Sequence, residues 1–358
     1  MSRNFYFRMK DSESMTTSGK KRANLRDVAG MAGVSVATVS RVLNSPETVA
    51  DRTRARVQAA IDELRFVPSA AARAINSGRT RIVGALIPTL DNAIFARFLD
   101  AVEKHLAPHQ LSLIVATTNG DTATERQKAQ NLVDIGAEGL IVSGIHHSQD
   151  FLDLVARNQL PVIVTSYFDA QYCLPTIGYD NHVAASVAAA HLHELGHTEI
   201  AVIHGPRHSN DRTSARIAGL EAAGLMTKLV FHEVDLSIEG GCSAVRALVS
   251  SGERVSAILC LSDVLAMGAL FELDRAGLKV PQDMSVMGID DLPGSSFTAP
   301  ALTSVRLPVQ EMGARAAAAL AAWVEQGQVP EPAALASNLV VRQSTARNPR
   351  SRPGGPDR

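Results

Sequence analysis

The hydrophobic positions divide the chain into two stretches with different periods. Between residues 24 and 66, apolar side chains recur every three or four positions, as in LRDVAGMAG (residues 25–33) and TRARVQAAIDELRF (residues 53–66). This is the period of an amphipathic helix. From residue 81 onward, short apolar runs alternate with helix-length amphipathic segments, as in parallel sheets with helices on both faces. The pattern predicts a small all-α module followed by a larger α/β module.

The first module is predicted to hold three helices. The apolar face of the first helix consists of Leu25, Val28, Ala29 and Ala32. Gly33 stands where a C-terminal glycine is expected, and Ser35 is a suitable N-cap for a second helix. In the second helix the inward positions are Val39, Val42 and Leu43, and the outward ones are Ser35, Val36, Ala37, Ser40 and Arg41. The third helix is predicted to bury Val57, Ala60, Ile61 and Leu64.

The outward side chains of the second helix suit contact with DNA. Small residues let a helix enter the major groove, which is about 12 Å wide. Hydroxyl groups can bond phosphates or base edges, Ala and Val can touch a thymine methyl, and an arginine can bridge guanine O6 and N7. From the pattern alone, a plain three-helix bundle without a DNA partner is the alternative.

Charge is distributed unevenly along the chain. Residues 20–81 hold 12 basic and 5 acidic side chains, a net charge of +7, whereas the remainder holds 23 basic and 31 acidic ones, a net charge of −8. A basic module on an acidic body is typical of a nucleic-acid-binding head on a domain that does not bind nucleic acid. The charge by itself also fits a solvated basic surface.

The sequence LRDVAGMAGVSVATVSRVLN, with TRARVQAAIDELRFVPSAAARAINSGRT after it, resembles the DNA-binding headpiece of the LacI family of bacterial repressors. In that family the second helix reads the major groove. The resemblance implies that Val36 and Ala37 occupy positions that vary with the operator sequence. It implies that Thr38, Ser40, Arg41 and Asn44 hold phosphates and a common base.

The segment VPSAAARAINSG matches the hinge of that family. The resemblance implies a short helix that orders on DNA and pairs with its twin in the minor groove, with Ala72 and Ile75 at the DNA. A leucine commonly forms the wedge, and Ile75 is stiffer because it is β-branched. Residues 1–23 precede the usual start of the family, and we expect them to be disordered, with Met9 or Met15 as a candidate start.

The larger module is expected to form two doubly wound halves. Its apolar runs are RIVGALIP, LSLIVAT, EGLIVSG, LPVIVTS, TEIAVIHGP, VSAILCLSD, MSVMGIDD and LTSVRLP. About ten strands are too many for one sheet of this length, and two parallel sheets place a ligand crevice at the carboxyl ends of their strands.

The segments GHTEIAVIHGP, ARIAGL, LSDVLAMGAL, LKVPQDMSVMGIDD and PALTSV resemble the two-lobed core of the same family, which is built like periplasmic binding proteins. The resemblance implies crossings between lobes near Asp180, Arg306 and Ala336. Lobe 1 is then residues 81–180 and 306–335, and lobe 2 is residues 181–305 and 336–345. A disordered tail is expected over residues 346–358.

Polar and aromatic residues fall at strand ends where that core holds its effector. The candidates are Asp91, Asn92, Phe95, His147, Arg216, Asp263 and Asp290. By resemblance, Arg216 and Asp263 are the strongest, because an arginine binds hydroxyls or a carboxylate in bidentate fashion and an aspartate accepts from sugar hydroxyls. Phe95 would lie against a ring, or else in the core. Ser262 departs from the frequent asparagine of the family, and the lactose-type stacking tryptophan is missing.

The combination PTLDNAIF, GIHHSQD and NDRT resembles the gluconate-type branch of the family most closely. His147 could then meet the carboxylate of a sugar acid. The alternative is a regulator that needs a co-repressor, either a purine or a phosphorylated metabolite.

Two other functional classes fit less well. HELGH, residues 193–197, matches the zinc-protease pattern H-E-x-x-H, but Gly196 is expected to end the helix and place His197 in a loop. A sugar-transport receptor would need an export signal, and residues 1–14 lack its apolar region. Cys173, Cys242 and Cys260 are too far apart for a disulfide framework or zinc pattern and are expected to be buried thiols in a reducing cytoplasm.

These observations together predict a cytoplasmic regulator, associated with the nucleoid when it is bound to its operator. It is expected to bind a pseudo-palindromic operator as a homodimer, to control a carbohydrate catabolic operon and to be released by a sugar or sugar acid. No catalysis, cofactor, metal or membrane partner is expected.

Overall fold

A computed structural model describes residues 23–67, 74, 78–224 and 226–348. The chain divides into two compact units, Met1–Thr80 and Arg81–Arg358. Residues 1–22 of the expected N-terminal extension, the hinge residues Ala72 and Ile75, and residues 349–358 of the expected tail lie outside the described residues.

Residues 23–67 of the first unit form three helices around a small apolar core. They are α1 (Leu25–Ala32), α2 (Val36–Asn44) and α3 (Asp51–Glu63), with a 3-10 turn at Pro46–Thr48. The core is formed by Val28, Ala29, Ala32, Val39, Val42, Val57, Ala60 and Phe66. This confirms the predicted helical faces, although α3 begins and ends earlier than the apolar pattern suggested.

Local chemistry sets the turn between α1 and α2. Gly33 has φ +61°, a left-handed conformation that favours glycine. A Cβ there would lie 2.8 Å from Nη2 of Arg56, which donates to the carbonyl oxygens of Ala32 and Gly33. Ser35 then caps α2, because its Oγ accepts from the backbone N–H of Thr38 at 3.1 Å.

Over residues 81–224 and 226–348, the second unit contains two six-stranded sheets. The strands of the first sheet are β1 (Ile82–Ile87), β2 (Ser112–Thr117), β3 (Ala137–Ser143), β4 (Val162–Thr165), β5 (Thr176–Tyr179) and β11 (Ala333–Leu335). Those of the second are β6 (Glu199–His204), β7 (Lys228–Glu233), β8 (Ala257–Cys260), β9 (Ser285–Asp290), β10 (Thr303–Arg306) and β12 (Asn338–Val340). The first sheet has the order β11–β5–β4–β3–β1–β2, and the second has the order β12–β10–β9–β8–β6–β7. Every pairing is parallel except that of β10 with β12.

Amphipathic helices cover these sheets. The helices that belong to the first lobe are α4 (Ala93–Leu106), α5 (Thr122–Asp134), α6 (Gln149–Arg157) and α11 (Val309–Gln326). Those of the second lobe are α7 (Asn181–Glu194), α8 (Asp211–Ala222), α9 (Ile238–Ser251) and α10 (Asp263–Arg275). Short 3-10 turns occur at Ala107–His109 and Pro293–Ser296. The chain therefore changes lobe between β5 and α7, between β10 and α11, and between β11 and β12.

The structure corrects two sequence predictions in this unit. Cys173 is exposed rather than buried, while Cys242 and Cys260 are buried as expected. The first residues of the expected disordered tail pack on the second lobe: the backbone N–H of Asn348 donates to the carbonyl oxygen of Leu195 at 2.8 Å.

The HELGH segment spans the end of a helix. Helix α7 ends at Glu194, and Gly196 has φ +83°. His193 Nδ1 pairs with Thr227 Oγ1, whereas His197 Nδ1 pairs with Ser256 Oγ at 2.8 Å, and burial lowers the pKa of His197. The two imidazoles therefore bind different partners and do not form a common metal site.

Candidate functional sites

Helix α2 presents a surface of small and polar side chains. Ser35, Val36, Ala37, Arg41 and Asn44 are exposed, while Thr38 and Ser40 are partly buried. Val39 and Val42 on the opposite side are buried in the core of the first unit. The apolar anchoring of one face therefore fixes which residues of α2 can meet another molecule.

Hydrogen bonds hold several of these side chains in place. The hydroxyls of Ser35 and Thr38 are 2.9 Å apart, and Asn44 Nδ2 donates to Ser40 Oγ at 3.2 Å. Hydroxyl and amide groups fixed in this way lose less conformational freedom when they bind phosphates or base edges. The exposed guanidinium of Arg41 adds the only positive charge on α2.

A cavity lies between the two lobes of the second unit, at the carboxyl ends of their strands. The empty space inside it, part of which is open to solvent, is about 640 Å³. Asn92 and Phe95 line it from the first lobe, and Arg216 and Asp290 line it from the second. Four of the seven predicted effector residues are therefore brought together.

Arg216 is buried in the cavity wall and oriented by the second lobe. Its Nε donates to Asn181 Oδ1 at 3.0 Å, and its Nη1 donates to the carbonyl oxygen of Leu261 at 2.5 Å. Its Nη2 lies 3.8 Å from Asp290 Oδ1. Two of the three guanidinium nitrogens thus fix the side chain, and the third is directed toward a carboxylate that also lines the cavity.

Asp290 is held in an unusual backbone conformation at the end of β9. Its φ is +129°, and that of the following Asp291 is +53°, conformations that cost free energy in residues other than glycine and concentrate at functional sites. Ser262 Oγ donates to Asp290 Oδ2 at 2.7 Å. Burial raises the pKa of Asp290, and the Arg216 guanidinium opposes this shift.

The structure does not bring Asp263 to the cavity. Its side chain is fully buried, and its carboxylate accepts from the backbone N–H of Leu292 at 2.9 Å and from the hydroxyls of Ser295 at 2.5 Å and Ser304 at 2.6 Å. Burial, and secondarily the charge of Asp290, raise its pKa to about 7. These bonds tie the start of α10 to the segment that follows β9 and to strand β10. The backbone N–H of Asp263 lies 3.4 Å from Asp290 Oδ2, so Asp263 helps to position Asp290 without lining the cavity.

Two other predicted residues also lie outside this cavity. Asp91 is exposed, next to the cavity residue Asn92. The side chain of His147 is fully buried, its Nδ1 is 2.8 Å from Glu125 Oε2, and its ring stacks on Phe151. His147 therefore has a carboxylate partner within the protein already.

A second, more polar compartment of about 350 Å³ adjoins the cavity, and the two share Pro88 and Arg212. Its remaining walls carry hydroxyls, carboxylates and an imidazole, including Thr118, Asp121, Glu125, Ser143, His146 and Ser209. The cleft thus offers one end with a large apolar surface and another end lined by acceptors.

Several cavity residues were missed in the sequence. They are Phe98, Ser166, Tyr179, Asn210, Arg212, Thr213 and Met312. Tyr179 ends β5, a four-residue strand without a clear signal, and burial raises the pKa of its hydroxyl. Asn210, Arg212 and Thr213 belong to NDRT, which indicates a branch of the family in the sequence and which also begins the helix that carries Arg216.

Family models match both units. The model for "Bacterial regulatory proteins, lacI family" matches residues 24–69, and the model for "Periplasmic binding protein-like domain" matches residues 189–345.

Known proteins resemble the chain over nearly its whole length. The HTH-type transcriptional regulator MalR of Streptomyces coelicolor is 37% identical, covering 92% of this chain and 98% of MalR. The lac repressor dimer bound to operator and the anti-inducer ONPF superposes with a TM-score of 0.83 at 26% identity, over 91% of this chain and all of that one. The CelR–cellobiose complex gives a TM-score of 0.66 at 26% identity, over 90% of this chain and all of that one.

The helical head and the two-lobed cavity domain define a DNA-binding transcriptional regulator rather than an enzyme. The chain belongs to the LacI family of bacterial regulatory proteins. Among the described residues, no helix is long and apolar enough to cross a membrane. The same residues contain no group of three or more His, Cys, Asp or Glu side chains suited to a metal ion.

Proposed function

We propose that this regulator binds a pseudo-palindromic operator as a homodimer and is released when a small polyhydroxylated effector occupies the cavity between its lobes. The observation that carries the proposal is the cavity itself, in which Asn92 and Phe95 of one lobe face Arg216 and Asp290 of the other. A ligand that contacts both lobes changes their equilibrium arrangement, and this change can be coupled to DNA binding.

For the headpiece, we propose that α2 enters the major groove of each half-site. Val36 and Ala37, which are exposed, would read bases through apolar contacts, and Arg41 would bind a guanine or a phosphate. Ser35, Thr38, Ser40 and Asn44 would fix the orientation of the helix on the backbone. In the minor groove between the half-sites, Ala72 and Ile75 of the paired hinges would contact DNA.

The cavity favours a neutral sugar as the effector. Arg216 and Asp290 offer a donor and an acceptor for hydroxyls, and Phe95 offers a flat apolar surface for a sugar ring. His147, the residue on which the gluconate interpretation depends, is paired with Glu125. The polar compartment holds the carboxylates of Asp121 and Glu125, and its guanidinium, that of Arg212, is already paired with Asp211. Carboxylates repel an acid and accept from hydroxyls, and the bound sugar of the CelR–cellobiose complex agrees with this preference.

A purine co-repressor is the second candidate. The observation in its favour is the aromatic character of the wall, where Phe95, Phe98 and Tyr179 line one cavity. Aromatic side chains stack on planar rings, and Asp290 or Asn92 could bond ring nitrogens. In that case the effector would strengthen operator binding rather than weaken it.

The proposed site of action is the bacterial cytoplasm, with the protein on the nucleoid when it is bound to its operator, because a regulator must reach chromosomal DNA. The regulated genes would form a carbohydrate catabolic operon, since release by a sugar matches enzyme synthesis to substrate supply.

Thermal unfolding of the full chain with a panel of compounds tests the effector class. The panel holds neutral monosaccharides and disaccharides, gluconate and purines. A ligand at 100 times its dissociation constant adds about 2.7 kcal/mol to the free energy of unfolding, which gives a clear rise in Tm. A rise with a neutral sugar supports the proposal, a rise with gluconate alone restores the sugar-acid interpretation, and a rise with a purine alone supports the co-repressor.

A further inference from the structure

We propose that Asp211 is a positioning residue that holds the two lobes closed before any effector binds. Asp211 begins α8 in the second lobe, five residues before Arg216. Its Oδ2 accepts the backbone N–H groups of Ile145 at 2.5 Å and of His146 at 3.2 Å, both in the segment that follows β3 of the first lobe. The contact therefore joins the lobes beside the effector cavity.

The first lobe is shaped to receive this carboxylate. Gly144 has φ +88°, so that two successive N–H groups after it converge on one point. A Cβ on Gly144 would lie 2.5 Å from Asp211 Oδ2 and 2.6 Å from Arg212 Nη1. A side chain at this position would therefore displace the Asp211 carboxylate and break its bonds across the cleft, and the left-handed conformation would also be strained.

The second lobe fixes the same carboxylate from its own side. Asp211 Oδ1 accepts two hydrogen bonds from Arg212, one from its backbone N–H at 2.8 Å and one from its Nη1 at 3.0 Å. The side chains of Asp211 and Arg212 are only 14% and 13% exposed, so solvent screens these bonds weakly. Hydrogen bonds to a charged acceptor are among the strongest in proteins.

The other edge of the cleft also has a bridging bond. Arg97 Nη1, on α4 of the first lobe, donates to the carbonyl oxygen of Asp291 in the second lobe at 3.2 Å. Both contacts are charge-assisted, Arg97 through its donor and Asp211 through its acceptor, but Asp211 accepts two N–H groups across the cleft and Arg97 donates to one carbonyl oxygen. Asp211 is therefore the stronger of these two contacts and the one that adjoins the cavity residues Arg212 and Arg216.

This contact sets how much of the free protein is closed. The cavity draws its walls from both lobes, so the closed form is the one that binds the effector. The apparent dissociation constant is then the intrinsic constant divided by the fraction of the protein that is closed. Opening the cleft should weaken effector binding without any change in the cavity walls. By linkage, opening the cleft and binding the effector should have opposite effects on operator affinity. If the effector weakens operator binding, the opened variant should bind the operator more tightly.

The lobe separation can be measured without a ligand, so the test is independent of the proposed effector. One spin label goes on the exposed Cys173 of the first lobe and a second on His208→Cys in an exposed segment of the second lobe. Cys242 and Cys260 are buried and stay unlabelled. The doubly labelled chain is mixed with an excess of unlabelled chain, so that most labelled dimers carry labels on one protomer. Pulsed electron paramagnetic resonance without effector then gives the distance between the lobes of that protomer.

We expect one short distance in the parent chain and a longer, broader distribution in Asp211→Ala and in Gly144→Ala. Asp211→Asn keeps the shape of the side chain and one acceptor oxygen, so its distance should fall between that of the parent chain and that of Asp211→Ala. It also keeps the test valid if Asp211→Ala misfolds. Asp235→Ala, which removes an exposed carboxylate elsewhere on the second lobe, is the matched control and should keep the parent distance.

The double variant Asp211→Ala with Gly144→Ala decides whether the two changes act through one contact. Since each removes the same bond, the double variant should open no further than the wider single variant. Parent-like distances in folded Asp211→Ala and Gly144→Ala would overturn the proposal, and so would additive opening in the double variant. Effector panels that give no hit would leave this result unaffected.

Discussion

Arg216 and Asp290 lie opposite each other in the cavity between the lobes, with 3.8 Å between Nη2 and Oδ1. This separation exceeds a hydrogen bond, which spans about 2.7–3.2 Å between N and O. Each group is oriented by other bonds, Arg216 through Asn181 and Asp290 through Ser262. The pair therefore presents a positioned donor and acceptor that a ligand hydroxyl can engage together.

The first prediction concerns Arg216. Arg216→Ala should weaken effector binding about tenfold to hundredfold, since a hydrogen bond to a charged group contributes about 1.5–3 kcal/mol. It should leave operator binding without effector close to that of the parent chain. Calorimetry measures the first quantity and fluorescence anisotropy with an operator selected in vitro measures the second.

Arg216→Lys separates charge from geometry in the same experiment. It keeps the positive charge near Asp290 but cannot bond Asn181 and Leu261 together, so it should fold well and still bind effector poorly. If Arg216→Ala bound the effector as tightly as the parent chain does, Arg216 would lie beside the ligand without contacting it.

The second prediction concerns Arg41. Arg41→Ala should cost about 1–3 kcal/mol of operator binding, because the exposed guanidinium is the only cation on α2. Effector affinity should not change. Anisotropy titrations at several salt concentrations provide the measurement, and Arg52→Ala, an exposed arginine on α3, is the control. Equal losses in both variants would mean that Arg41 contributes only general charge.

The third prediction concerns Gly33. Gly33→Ala should destabilise the headpiece by about 1–2 kcal/mol, because the left-handed conformation disfavours a Cβ and Arg56 occupies the space. In calorimetry the Tm of the headpiece should fall, while the Tm of the larger unit stays in place. Gly30→Ala, where a Cβ meets nothing within 4 Å, serves as the control and should not lower the Tm of the headpiece.

The fourth prediction concerns pH. The pKa of Asp263 is raised to about 7 by burial and by Asp290, from an ordinary value of 3.8. Between these values the native state holds a proton that the unfolded chain has released, so the free energy of unfolding falls as pH rises through this window. The contribution has an upper bound of about 4 kcal/mol.

Asp263→Asn isolates that contribution. The variant loses stability at every pH, since an amide cannot accept all three bonds from Leu292, Ser295 and Ser304. Relative to the variant, the parent chain should lose stability between pH 4 and pH 7 in thermal unfolding. Parallel curves for the two proteins would show that Asp263 does not titrate in this range.

The sequence predicted best what short-range chemistry decides. The turn at Gly33 and the cap at Ser35 depend on residues within a few positions, and both are present in the structure. The doubly wound lobes follow from short apolar runs that alternate with amphipathic segments of helix length. Strand β7 was missed because it is a half-exposed edge strand, and β5, β11 and β12 have only three or four residues each.

Side-chain direction at the cavity could not be predicted in the same way. Asp263 and Asp290 both lie near strand ends, but their carboxylates have different surroundings. Hydrogen bonds from Leu292, Ser295 and Ser304 occupy the carboxylate of Asp263, whereas Asp290 lines the cavity. The pairing of His147 with Glu125 joins residues 22 positions apart on different elements. Such choices depend on tertiary contacts, which leave no periodic signal in the chain.

The most direct test of the regulator proposed here is operator binding measured with and without the effector found by thermal unfolding. In anisotropy titrations the effector should change the operator affinity of the parent chain at least about tenfold, within the usual range of allosteric coupling. Arg216→Ala should bind the operator and show no change at the same effector concentration. An effector that binds the cavity and leaves the operator affinity of the parent chain unchanged would contradict the account.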